Sequence, residues 1–193
     1  MAEKLEIKEL DHVVVRFSGD SGDGMQLAGN IFSTISATVG NGISTFPDYP
    51  ADIRAPQGSL TGVSGFQVHI GQGKVYTPGD LCDVLVAMNL PSLDKYEPMV
   101  KPGGTILVDS SLIERKVTRD DVNVYYIPAT KLAGENGAPT LANMILVGKL
   151  LEIFGEFDAE LVEKALGKCI SARHADLLSL NLKCMEIGRD YNA

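Results

Sequence analysis

Ser18-Gly19-Asp20-Ser21-Gly22-Asp23-Gly24 packs three glycines, two hydroxyls and two carboxylates into seven residues, between an apolar run and a stretch of helical periodicity. Glycines permit positive φ and close backbone approach, and the N–H groups that open the following helix can face a ligand oxyanion or a partner surface. Asp20 and Asp23 oppose the first use, because carboxylates in such a loop repel a pyrophosphate and offset the positive end of the helix. A bound phosphate and a turn capped by its own carboxylates are both open readings of this loop.

The spacing is Gly-x-x-Gly-x-Gly, the reverse of the Gly-x-Gly-x-x-Gly dinucleotide fingerprint, and Asp48 stands late for a ribose-binding acid. Gly22-Asp23-Gly24 matches the opening of a thiamine diphosphate motif, but the Asn-Asn half does not follow, so a complete thiamine site within this chain is excluded. Arg54 sits in the proline-rich stretch Pro47 to Ser59, where its donor fork either binds a carboxylate or phosphate or pairs with Asp48 or Asp52. His12, His69 and His174 are scattered at no spacing that suggests paired ligation, and they read as structural or surface residues. No metal ligands are assigned, and without a Ser-His-acid pattern no catalytic residue is assigned either.

These groups need elements to hold them. Val13 to Phe17 reads as a buried strand, and Leu27, Ile31, Ile35 and Val39 mark a helix over residues 25–39 that Gly40-Asn41-Gly42 ends. Ile43 to Phe46 is a short strand, and the three prolines after it predict a long stiff loop. Val63 to Ile70, Gly71-Gln72-Gly73 and Lys74 to Tyr76 read as strand, turn and short return strand. Apolar strands follow at Asp83 to Asn89, Thr105 to Asp109 and Val122 to Ile127, with a short helix or irregular turn over Leu90 to Val100. Helices are expected from Thr140 to Gly155, from Ala159 to Leu166 with Asp158 as N-cap, and from about Arg173 to Ile187. The pattern predicts an α/β fold, a Rossmann-like, mostly parallel sheet flanked by helices with an inserted β-hairpin. In such sheets ligands bind beyond the carboxyl ends of the strands, which puts Ser18 to Gly24, Asn89 and Asp109 on one rim.

With 193 residues and 45% hydrophobic content, one domain over residues 1–193 is expected. The net charge of -8, without a basic cluster, argues against a nucleic-acid surface. No run approaches the roughly 20 apolar residues of a membrane helix, and Met1 to Leu10 lacks the apolar core of a signal peptide. Cys82, Cys169 and Cys184 form no C-x-x-C pair, read as small buried hydrophobes, and fit a reducing, cytoplasmic setting.

The run Arg16 to Leu27, then Phe46-Pro47-Asp48-Tyr49-Pro50-Ala51-Asp52-Ile53-Arg54-Ala55-Pro56-Gln57-Gly58, resembles the gamma subunit or gamma domain of 2-oxoacid:ferredoxin oxidoreductases. The likeness continues through Gly62 to His69, Val86 to Asn89, Pro102 to Thr105 and Ala142-Asn143-Met144, and the proline-rich loop looks most like the 2-oxoglutarate branch. That branch often fuses this domain ahead of the alpha domain. The sequence stops at Ala193, which suggests a separately encoded subunit. Ser21 and Asp23 stand where the broader family pattern has glycine and glutamine, which weakens a direct carry-over of phosphate contacts.

The resemblance implies a complex that oxidatively decarboxylates a 2-oxoacid to an acyl-CoA and passes electrons to ferredoxin. Thiamine diphosphate, magnesium and iron–sulfur clusters are expected in alpha and beta subunits and a ferredoxin-like subunit, with none held by this chain alone. The gamma domain is expected to help enclose the site and receive coenzyme A, with Ser18, Gly19, Ser21, Gly22, Gly24, Arg54 and Asn143 as candidate contacts. An independent nucleotide-binding oxidoreductase and a purely structural subunit are the alternatives.

Overall fold

Three consecutive valines and Phe17 make His12–Gly19 (β1) a strand that is buried on both faces beyond its first residue. Both its edges are taken. One pairs parallel with Cys82–Ala87 (β4) and the other antiparallel with Ser64–Gly71 (β3), in a register that sets Val15 opposite Val84 and Val68. The computed structural model describes residues 12–20, 22–48, 63–155, 158–170 and 177–192. Within these, Gly42–Asp48 (β2), Val100–Asp109 (β5) and Asn123–Ile127 (β6) complete a six-stranded mixed sheet of order β2-β3-β1-β4-β5-β6. The β1, β4, β5 and β6 ladder is parallel, as expected, and β2 and β3 are antiparallel.

Helices cover both faces. Met25–Thr38 (α1), Ala129–Glu135 (α3), Ala142–Ile153 (α4), Ala159–Cys169 (α5) and Leu178–Asp190 (α6) bury one side with Phe17, Phe32, Leu107, Ile145 and Phe154. Leu90–Tyr96 (α2) and the 3-10 turn Glu97–Met99 close the other against Val14, Leu85, Ile106 and Ile113. Asp158 caps α5 as expected, its Oδ1 accepting from the N–H groups of Glu160 and Leu161.

The α/β class and its helix-flanked sheet are as read from the sequence; the hairpin is built differently. Lys74 to Tyr76 is not a return strand, and the antiparallel partner of β3 is β2. Since β1 and β2 occupy both edges of β3, residues 74–80 have no ladder to join. They lie across its face instead, where Gln67 Nε2 donates to the carbonyls of Pro78 and Gly79, and His69 Nδ1 meets the carbonyl of Thr77. Helix α3 was not anticipated, and β4 stops at Ala87 because Asn89 turns to cap α2, its Oδ1 2.9 Å from Ser92 N. Helix α6 is described from Leu178, and its expected start near Arg173 lies outside the described residues.

Helices α4 and α6 meet backbone to backbone through Gly148 and Gly188. A Cβ on Gly188 would run into the carbonyl oxygen of Ile145, and one on Gly148 into that of Met185. Gly167, inside α5, has open space around it. We therefore expect Gly188→Ala to cost about 1–3 kcal/mol by overpacking against backbone that cannot rotate away. Gly167→Ala should instead stabilise by about 0.4–1 kcal/mol. Urea unfolding of both variants checks the pair.

Candidate functional site

The loop between β1 and α1 is tied down from inside. Asp20 N donates to Asp23 Oδ2 at 2.7 Å, and Asp23 N donates to the Asp20 carbonyl at 3.1 Å, so the carboxylate of Asp23 folds back and closes its own turn. Gly19 makes this possible, since a Cβ there would stand 2.5 Å from Asp23 Oδ2 and 3.2 Å from Met88 Cβ. Burial holds the Asp23 carboxyl above its ordinary range. The Asp20 N–H pulls the other way, and the nearby charges of Asp20 and Asp109 add to the rise.

A second tie comes from 119 residues away. Gly24 precedes α1 with φ of 71°, a left-handed conformation, and the nearly buried Asn143 at the start of α4 donates from Nδ2 to the Gly24 carbonyl at 3.2 Å. A side chain at Gly24 would collide with that amide. Asn143 Oδ1 also accepts from Met144 N, so the amide is held at both ends. Ser18 is fully buried, its hydroxyl donating to the Ser64 carbonyl at 3.1 Å, and its carbonyl accepts from Met88 N at 2.9 Å.

Ser18, Gly19, Gly22, Gly24 and Asn143 thus gather at one end of the sheet. Ser21 and Arg54 lie outside the described residues, as does the proline-rich loop beyond Asp48. Asn89 and Asp109 reach the same end but do structural work. Asn89 caps α2, and the fully buried Asp109 accepts from Ser111 N, Thr130 N and Thr130 Oγ1, joining β5 to α3. Asp48, the late candidate for a ribose, accepts from the Tyr96 hydroxyl at 2.6 Å and lies 3.4 Å from Arg16 NH1 and 3.6 Å from Lys95 Nζ. Arg16 itself lies over the Tyr96 ring at 4.4 Å. Sequence reading missed Tyr96 and Thr130 because only the crossovers bring them near.

Two hollows flank the loop. The larger, about 440 Å³, is lined by Asp20, Gly24, Met25, Asn30, Ser64 and Gly65, and the smaller, about 270 Å³, by Gly22, Asp23, Met88, Leu112, Thr130 and Asn143. Beside the larger one, Ser64 Oγ and Asp20 Oδ1 are buried and have no hydrogen-bond partner among the described residues. Among the described residues no group of three or more His, Cys, Asp or Glu could hold a metal, and no helix is long and apolar enough to cross a membrane.

Comparison with known proteins agrees with this architecture. The family model described as pyruvate ferredoxin/flavodoxin oxidoreductase matches residues 14–191. The chain is 47% identical over 113 residues to the 2-oxoglutarate oxidoreductase subunit KorA of Mycobacterium tuberculosis, a match covering 58% of this chain and 17% of that one. Its fold superposes, with a TM-score of 0.82 and 25% identity, on the 2-oxoglutarate:ferredoxin oxidoreductase of Magnetococcus marinus bearing 2-oxoglutarate, coenzyme A and succinyl-CoA. That superposition covers 94% of this chain and 31% of the other. A keto/oxoacid ferredoxin oxidoreductase gamma subunit from Geobacter sulfurreducens superposes with a TM-score of 0.78 and 26% identity, over 94% of this chain and 96% of its own length. The chain thus spans under a third of the first two proteins and nearly the whole of the third.

The inward carboxylate carries a pH signature. Because the folded pKa of Asp23 is raised, the ionised form is disfavoured in the fold, and its contribution to stability improves as pH falls through the folded value. Asp23→Asn keeps an acceptor for Asp20 N–H without the charge. It should raise the melting temperature at neutral pH, with the gain shrinking in acid. Asp23→Ala, which orphans that N–H, should instead cost about 1 kcal/mol. Melting curves across pH distinguish the two.

Proposed function

The chain belongs to the pyruvate ferredoxin/flavodoxin oxidoreductase family, and from that premise we propose that residues 1–193 act as the gamma-type domain of a 2-oxoglutarate:ferredoxin oxidoreductase. In this reading the complex oxidatively decarboxylates 2-oxoglutarate to succinyl-CoA and hands the electrons to ferredoxin in the cytoplasm. The observation that carries it is the superposition of 94% of the chain on a protein holding 2-oxoglutarate, coenzyme A and succinyl-CoA. Thiamine diphosphate, magnesium and iron–sulfur clusters belong to alpha, beta and ferredoxin-like subunits, which supply the carbon chemistry and the electron path.

This chain's own contribution is to bind and orient. Gly22 and Gly24, with Ser21 proposed beside them as a contact, are offered to coenzyme A or to the neighbouring subunit. Ser18 and Asn143 hold the loop from behind, and Gly19 leaves room for the Asp23 closure. Arg54 is the cation proposed to meet a phosphate of coenzyme A, since Asp20 and Asp23 make the loop itself a poor phosphate site. The same closure disfavours an independent nucleotide-binding oxidoreductase, whose pyrophosphate would have to compete with a carboxylate already seated on Asp20 N–H.

The test is 2-oxoglutarate- and CoA-dependent reduction of a viologen dye by the complex assembled from all subunits. Removing this chain should abolish CoA-dependent turnover. Arg54→Ala should raise the apparent KM for coenzyme A about tenfold, equivalent to about 1.4 kcal/mol, while the complex still assembles. Unchanged turnover without the chain would refute the role, and an unchanged KM in both Arg54→Ala and Ser21→Ala would leave only a scaffold.

A further inference from the structure

The sequence sets 56 residues between His12 and His69, and the β1–β3 ladder removes that distance. In this antiparallel register His69 pairs with Val14 and His12 with Gly71, so the two imidazoles are diagonal neighbours on one face of the sheet. His12 Nδ1 lies 3.2 Å from His69 Nε2, with ring centroids 5.2 Å apart and planes inclined by 57°.

The tautomers follow from the third partner. His69 Nδ1 is 2.5 Å from the carbonyl oxygen of Thr77, which can only accept, so Nδ1 carries the proton and Nε2 presents its lone pair to His12. A ring N–H donated to a backbone carbonyl is also the usual support of a metal-ligating histidine, because it fixes ring orientation and raises the basicity of the other nitrogen. Zinc–nitrogen bonds of about 2.0–2.1 Å opened to a tetrahedral angle separate two nitrogens by about 3.3 Å. The His12–His69 spacing matches that bite, and rotation of the two rings, which face each other when empty, turns both lone pairs toward one cation.

We propose that His12 and His69 form a two-histidine clamp for a zinc-class divalent cation, with water completing the coordination on the solvent side, where His12 is exposed. In the empty state the proton on His12 Nδ1 bridges the rings, and on binding it moves to the exposed Nε2 of His12 through solvent, so both ligating nitrogens are neutral. The clamp sits at the start of β1, at the other end of that strand from Gly19. A bound cation would tie β1 to β3 there and leave the rim loop untouched.

Isothermal titration of the chain, residues 1–193, with zinc chloride in chelator-free buffer tests the site. The expected result is one micromolar-range site per chain and a higher melting temperature with zinc, by preferential binding to the folded state. His12→Gln and His69→Gln should each weaken binding at least tenfold, while His174→Gln should not. Should a variant fail to fold, imidazole-nitrogen NMR of the wild-type chain decides. Zinc should shift His12 Nδ1 and His69 Nε2 and leave His69 Nδ1 protonated. Absence of binding in that range, wild-type affinity in both variants, or unmoved His12 and His69 resonances would overturn the proposal.

Discussion

Strand β1 has no free edge, and the rest of the molecule depends on that constraint. Its eight residues accept a parallel neighbour on one side and an antiparallel one on the other, so its register is fixed twice. A slip by one residue would turn Val13, Val15 and Phe17 to the wrong face and would break both ladders together. The strand's two ends inherit this rigidity. At the start it brings His12 to His69; at the finish it delivers Gly19 beneath Met88.

From that anchored end the loop is built as a closed object. Its hydrogen-bonding groups turn on one another through Asp20 and Asp23, and Asn143 of α4 holds the carbonyl of Gly24. A dinucleotide loop keeps its amides free for an incoming pyrophosphate; here the side chain of Asp23 occupies one of them. Among the described residues of the loop, Gly22 is the exposed one. Such a surface suits contact with a neutral portion of a ligand or with a neighbouring subunit.

Much of this was legible in the sequence where a local signal existed. The apolar runs of β1, β4, β5 and β6, the periodicity of α1 and α4, and the Asp158 cap follow from neighbouring residues alone. The warning against a dinucleotide site came from the reversed glycine spacing and from Asp20 and Asp23. What escaped reading depends on pairing between distant segments. The return strand at Lys74 to Tyr76 fails because β2 already holds the edge of β3, and α3, only seven residues long, carries too few positions to show a period. The contact between His12 and His69 could not be read for the same reason, since strand register leaves no trace in linear spacing. Asn143 was found only through resemblance, and its bond to Gly24 gives that a geometric reason.

The central claim is that this rim, fixed by Asp23 and Asn143, is the face the chain turns toward coenzyme A. Hydrogen–deuterium exchange on the assembled complex, with and without coenzyme A, addresses it most directly. The account predicts added protection on coenzyme A binding in peptides covering Phe17 to Leu27 and Thr140 to Leu146, with the strands of the sheet unchanged. Protection confined to other subunits, with these two segments exchanging as before, would contradict it.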